Sequence, residues 1–74
     1  MGTPLNPPKT AIELLDKEYL DIRCHLLEVA AAFDRLDRAG GTDDPRVERL
    51  RAVGRVALGT ETDRAQRFLE YLSD

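Results

Sequence analysis

The chain contains one cysteine and one histidine, and the two are adjacent: Cys24 and His25. A thiol and an imidazole can act as nucleophile and base when they lie within hydrogen-bond reach of each other. On a helix, however, neighbouring side chains point about 100° apart. We therefore expect Cys24 to serve as a small apolar residue, and we predict no catalytic residues and no enzymatic activity.

Carboxylates accompany His25 on the same predicted helix, within about 80° of one another around its axis. The four candidate metal ligands are Glu18, Asp21, His25 and Glu28. Helical bundles bind metals through such groups, but with a Glu-x-x-His motif, and position 22 is Ile. We predict a solvated polar strip with no metal and no cofactor, and keep a small metal-binding bundle as an alternative.

The element that carries these residues is predicted to be one long helix. Residues 1–9 contain three prolines, which fix φ and favour an extended leader. Thr10 and Glu13 have the spacing of a capping box, and no Pro or Gly follows until Gly40. We predict a helix over about 11–38, which ends at the glycine pair.

Large apolar side chains recur along this helix at alternating spacings of three and four residues. Such an uninterrupted heptad pattern is typical of a helix that packs lengthwise against another helix. We call this set the seam: Ile12, Leu15, Tyr19, Ile22, Leu26, Val29, Phe33 and Leu36. We predict that the seam forms the core of the protein.

A second apolar set lies about 150° from the seam around the helix axis. We call it the interface stripe: Leu20, Cys24, Leu27 and Ala31. A helix covered on one face only does not place two leucines on the opposite face. We predict that the chain's own later helices cover the seam and that a second copy, or the helix of a partner protein, covers the interface stripe. The alternative is a modest exposed apolar patch.

Two shorter helices are predicted after the glycine pair. Asp44, followed by a proline, is a strong start signal for a helix over about 45–58. Gly59 then breaks or bends this helix, and Thr60 is predicted to cap a third helix over about 61–73. The sequence permits either a kink or a reversal of the chain at Gly59.

These elements predict an all-α fold, because no segment alternates apolar and polar residues as a strand does. We expect residues 10–74 to form a single domain in which the long N-terminal helix packs against two shorter helices. This is a helical hairpin or a three-helix unit. Two hairpins would form an antiparallel bundle, and we therefore predict a dimer.

The charge balance disfavours nucleic acid as a partner. The chain has 11 basic and 14 acidic residues, a net charge of -3, whereas nucleic-acid binders carry a basic excess. The second and third helices, separated by a glycine, keep a helix-turn-helix regulator as an alternative. Its recognition helix would carry four acids against two arginines, so we expect no nucleic-acid partner.

The length of 74 residues allows one domain, and a chain of this size buries only about 60% of its unfolded surface. No apolar run approaches the roughly 20 residues of a membrane span, and residues 1–9 lack the apolar stretch of a signal peptide. We therefore expect a cytoplasmic protein without a membrane partner. Its arginine-rich composition suggests a bacterial origin. We predict a small non-enzymatic interaction or assembly module that forms a homodimer or other homo-oligomer, or binds a partner helix.

Overall fold

The computed structural model describes residues 10–73, so the predicted leader, residues 1–9, lies outside the described residues. Within the described part the chain has three helices and no strand, which confirms the all-α class. The chain divides into two compact units, one ending at Ala39 and the other beginning at Gly40. The single domain, the antiparallel bundle and the dimer stay predictions.

Helix α1 spans Ala11–Arg38, the range predicted from the sequence. Its first turn is held by a complete capping box. The Glu13 N–H donates to Thr10 Oγ1 at 3.2 Å, and the Thr10 N–H donates to Glu13 Oε1 at 2.9 Å. The helix ends where Gly40 takes a φ of 102°, in the left-handed region that glycine enters without a Cβ penalty.

Helix α2 spans Pro45–Leu58, again the predicted range. Asp44 caps it, because its carboxylate accepts the Arg46 N–H at 2.8 Å. The same carboxylate accepts two bonds from the Arg46 guanidinium, each 3.0 Å long. The proline at the first helical position costs no hydrogen bond, since its missing N–H would have had no partner inside the helix.

Helix α3 spans Arg64–Leu72, and its predicted start at residue 61 is wrong. Asp63 adopts a left-handed backbone with φ 59°, which ends the continuity of a helix at that residue. Thr60, the predicted cap, therefore precedes a loop rather than a helix. Asp63 itself stands at the N-cap position without a side-chain cap bond.

Two arginines of α3 hold this loop. Arg64 Nε donates to the Gly59 carbonyl oxygen at 2.6 Å, and Arg67 Nε donates to the Thr62 carbonyl oxygen at 2.9 Å. A helix that began at residue 61 would use the Thr62 carbonyl in its own ladder of backbone hydrogen bonds. The loop satisfies it from a side chain instead, so the shorter helix leaves this acceptor paired.

Helix α3 folds back onto α2, so the chain reverses direction after Gly59 rather than kinking. The two helices are in contact, and Ala52 of α2 lines the same shallow depression as Tyr71 near the end of α3. Gly59 ends α2 in an extended conformation, and its N–H donates to the Val56 carbonyl oxygen at 3.2 Å.

Val53, on α2, is the one buried side chain among residues 10–73, with 2% of its surface exposed. Other apolar residues of this unit are half-buried: Val47, Ala52, Val56 and Phe68. So small a core agrees with the limited burial available to a chain of this length.

We expect Thr10→Ala to lower the stability of α1 by about 1 kcal/mol, because the Glu13 N–H loses its side-chain acceptor. Thermal unfolding followed by far-ultraviolet circular dichroism measures the change. Thr60→Ala is the matched control, since within residues 10–73 Thr60 caps no helix. Equal losses of stability in the two variants would contradict the observed caps.

Gly59 and Gly54 should respond in opposite directions to alanine. A Cβ at Gly59 would lie 2.9 Å from the Arg55 carbonyl oxygen, so Gly59→Ala should destabilise the α2–α3 unit. A Cβ at Gly54, inside α2, meets nothing within 4 Å, so Gly54→Ala should stabilise the helix by about 1 kcal/mol. Chemical denaturation of both variants tests this; a shift of the same sign in both contradicts it.

Candidate functional site: the surface of α1

The surface of α1 is the candidate site, because this helix carries both apolar sets and contains no buried residue. Its 28 residues extend over roughly 42 Å at 1.5 Å per residue. Every residue from Ala11 to Ala30 is exposed, whereas the three that follow, residues 31–33, are half-buried. The apolar surface of α1 is therefore most open over its first 20 residues.

Side chains of the seam are exposed along most of its length. Their exposed fractions run from 67% at Ile12 to 39% at Leu36, and Phe33 is half-buried. The role of the seam as the core of the protein stays a prediction.

The interface stripe is also open. Leu20 and Leu27 are 64% and 69% exposed, Cys24 is an exposed free thiol, and Ala31 is half-buried. One further residue, Leu14, belongs to neither predicted set and is 44% exposed. Leu14 precedes a seam residue in the sequence, but its spacing fits neither periodic pattern, so the sequence analysis did not select it.

The four candidate metal ligands of α1 do not form a metal site within the described residues. Glu18, Asp21, His25 and Glu28 are all exposed. Over residues 10–73, no group of three or more His, Cys, Asp or Glu side chains is placed to hold a metal ion. Cys24 and His25 project from successive positions of the helix, about 100° apart. The metal-binding bundle would need ligands from another helix, and it stays an alternative.

The second unit has shallow depressions between α2 and α3, of which two differ in character. One is lined by charged and aromatic side chains, among them Arg55 and Tyr71, and has a volume of about 180 Å³. The other is apolar and is lined by residues that include Ala57, Phe68 and Leu69. Neither gathers the set of convergent polar groups that marks a small-molecule site.

Both arginines of α3 contact the loop before it, which bears on the helix-turn-helix alternative. Besides the bonds described above, Arg67 forms an ion pair with Glu61 at 3.5 Å. Side chains held in this way are less available to contact DNA phosphates. Nucleic-acid binding stays an alternative without a structural observation in its favour.

Hydrogen bonds shift the pKa values of charged side chains at the starts of α1 and α2. Hydrogen bonds from the Thr10 backbone and side chain lower the pKa of Glu13. Hydrogen bonds from the Arg46 side chain and backbone lower the pKa of Asp44, and the same pairing raises the pKa of Arg46. These carboxylates favour the ionised state because they cap helices, where negative charge also complements the helix dipole.

Among residues 10–73, no helix is long and apolar enough to cross a membrane. No protein-family model, curated protein or solved structure matches the chain.

Acid should weaken the caps. Because the pKa values of Glu13 and Asp44 are lowered on folding, their stabilisation is present above their ordinary pKa values, near 4, and is lost as the pH falls through the lowered values. We expect the helix content to fall below about pH 4. Glu13→Gln should reduce this dependence, since a neutral glutamine can still complete a capping box.

Circular dichroism across the acid range measures this effect. Glu28→Gln is the matched control, because Glu28 lies in the middle of α1 and caps nothing. If Glu28→Gln flattens the acid transition as much as Glu13→Gln does, the cap is not its source.

Proposed function

We propose that the protein is a small, non-enzymatic assembly module that self-associates through α1. The observation that carries the proposal is the exposure of large apolar side chains on two sides of this helix. Exposed apolar patches of this extent mark interaction surfaces in folded proteins, because water penalises them until a partner covers them.

The size of the effect supports association. Six seam residues lie within the exposed first 20 residues of α1. In each of them roughly half of the surface is exposed to water and would be buried when a partner covers it. At about 1 kcal/mol for each residue, two copies together gain on the order of 10 kcal/mol. Association itself costs about 4–15 kcal/mol, so a reversible complex is expected rather than a permanent one.

The chain's own core supports the same proposal. With Val53 as the one buried side chain of residues 10–73, the described part of the chain has little hydrophobic stabilisation of its own. Small domains with such cores commonly gain stability by oligomerisation. Burial of α1 in an assembly supplies the missing contribution.

Sedimentation equilibrium over a wide concentration range tests the proposal. We expect the wild-type mass to rise above 8.3 kDa as concentration increases. Ile22→Glu places a charge in the seam, and Leu27→Glu places one in the interface stripe. Whichever set pairs, its variant should return the chain to monomer, since a buried unpaired carboxylate is strongly unfavourable.

Leu58→Glu is the matched control: Leu58 is 65% exposed, as open as the leucines of the interface stripe, but it lies on α2. It should leave association unchanged. A wild-type chain that remains monomeric at every concentration refutes the proposal, as does an oligomer that both α1 variants leave intact.

A further inference from the structure

We infer that the seam of α1 pairs with the seam of a second copy in an antiparallel arrangement, about a two-fold axis that lies between the two helices, level with the peptide bond between Leu20 and Asp21. The inference rests on the proposed function and specifies its surface, orientation and register. In this arrangement the paired segments are residues 11–30 of each copy. A two-fold interface is self-complementary, so a contact between two positions occurs twice.

The exposure of α1 indicates which part of the seam is available. Residues 11–30 are all exposed, whereas Phe33 is half-buried and Leu36, at 39%, is less exposed than the seam residues before residue 30. A pairing centred between Leu20 and Asp21 uses the open part of the seam and leaves out its less exposed end. A pairing over the whole helix would be centred at Cys24 instead.

The apolar layers of this register are matched in size. Rotation about the proposed axis places Ile12 opposite Val29 of the other copy. It also places Leu15 opposite Leu26, and Tyr19 opposite Ile22. Each layer occurs twice, and each large side chain meets an aliphatic one, as close packing at such a seam requires.

The charges beside the seam select this register. Positions that flank a helical seam face each other across a paired interface and decide partner orientation. Here Asp16 meets Arg23 of the other copy, an attractive pair made twice. On the other side, Glu18 meets His25, whose imidazole N–H can donate to the carboxylate. The other residues that flank the seam between positions 11 and 32 are Ala11, Ala30 and Ala32, which carry no charge.

These four side chains are available for contacts between copies. All four are exposed, and within residues 10–73 none of them forms an ion pair or a side-chain hydrogen bond: Asp16, Glu18, Arg23 and His25. Pairing with a second copy therefore breaks no ion pair or side-chain hydrogen bond of the described chain.

Other arrangements of the same seam are less favourable. An antiparallel pair centred at Cys24 places Arg23 against Arg23 of the other copy, which is repulsive. A parallel pair in register retains an attraction between Glu18 and Arg23 but leaves Asp16 facing an alanine. It also sets Tyr19 against Tyr19 of the other copy. The offset antiparallel register is the one that combines two kinds of favourable flanking contact with matched layers.

A charge exchange in the full-length chain tests the register. We expect Arg23→Asp to raise the dimer dissociation constant about tenfold, because two attractive pairs become repulsive. Asp16→Arg should have a similar effect. The double variant Asp16→Arg/Arg23→Asp should restore the wild-type constant to within about threefold, as the opposite charges face each other again. Sedimentation equilibrium gives the constants, and circular dichroism reports helix content.

Glu28→Arg is the matched control for Asp16→Arg, since it makes a comparable charge reversal on α1 at a position away from the seam. It should leave the dissociation constant within about twofold of wild type. Restoration by Glu18→Arg/Arg23→Asp in place of the first pair would show parallel pairing and overturn the inference. An unchanged constant in Arg23→Asp, or a loss that neither double variant restores, overturns it as well.

The inference and the proposed function fail in distinguishable ways. A wild-type chain that stays monomeric removes both. A wild-type dimer whose charge variants do not follow the Asp16–Arg23 exchange removes only the register, and leaves self-association through α1 in place.

Discussion

The contact between water and the apolar side chains of α1 is the constraint on which the rest of this molecule depends. A helix can withdraw its side chains from water only by packing against something else, since its own backbone occupies its centre. The seam and the interface stripe lie on nearly opposite sides of α1, so one neighbouring helix cannot cover both. The function that we propose therefore depends on what covers α1.

Local hydrogen bonds define the helices without much help from a core. The capping box at Thr10 and Glu13 satisfies amides that the first turn of α1 would otherwise leave unpaired. The carboxylate of Asp44 does the same for α2. Helices of 15 residues or fewer are marginal in water, but at 28 residues α1 is long enough for its caps and backbone ladder to matter. A helix formed in this way presents a ready surface to a partner.

The sequence predicted the helices where the chain carries a strong local signal. Proline after Asp44 and the glycines after residue 39 mark helix ends through their own backbone preferences, so α1 and α2 have the predicted ranges. The predicted start of α3 was wrong because the true start depends on side-chain contacts that a cap motif does not reveal. Arg67 Nε, for example, donates a hydrogen bond to the Thr62 carbonyl oxygen. Val53 lies at helical spacing with Val47 and Leu50, but Ala57 and Leu58 share that spacing, so periodicity alone does not single out Val53 as the buried residue. The spacing of the apolar residues predicted which of them share a face of α1, but it did not predict how exposed those faces are.

The presence of one buried valine in the described chain has a consequence for how such a protein would behave in a cell. In the assembly that we propose, most hydrophobic stabilisation would come from association, so folding and association would share one equilibrium and the folded fraction would depend on total concentration. At low concentration, monomers would be unfolded for a larger fraction of the time, and proteases would remove them. At high concentration, each new copy would protect the others, so abundance itself would act as the switch between degradation and accumulation.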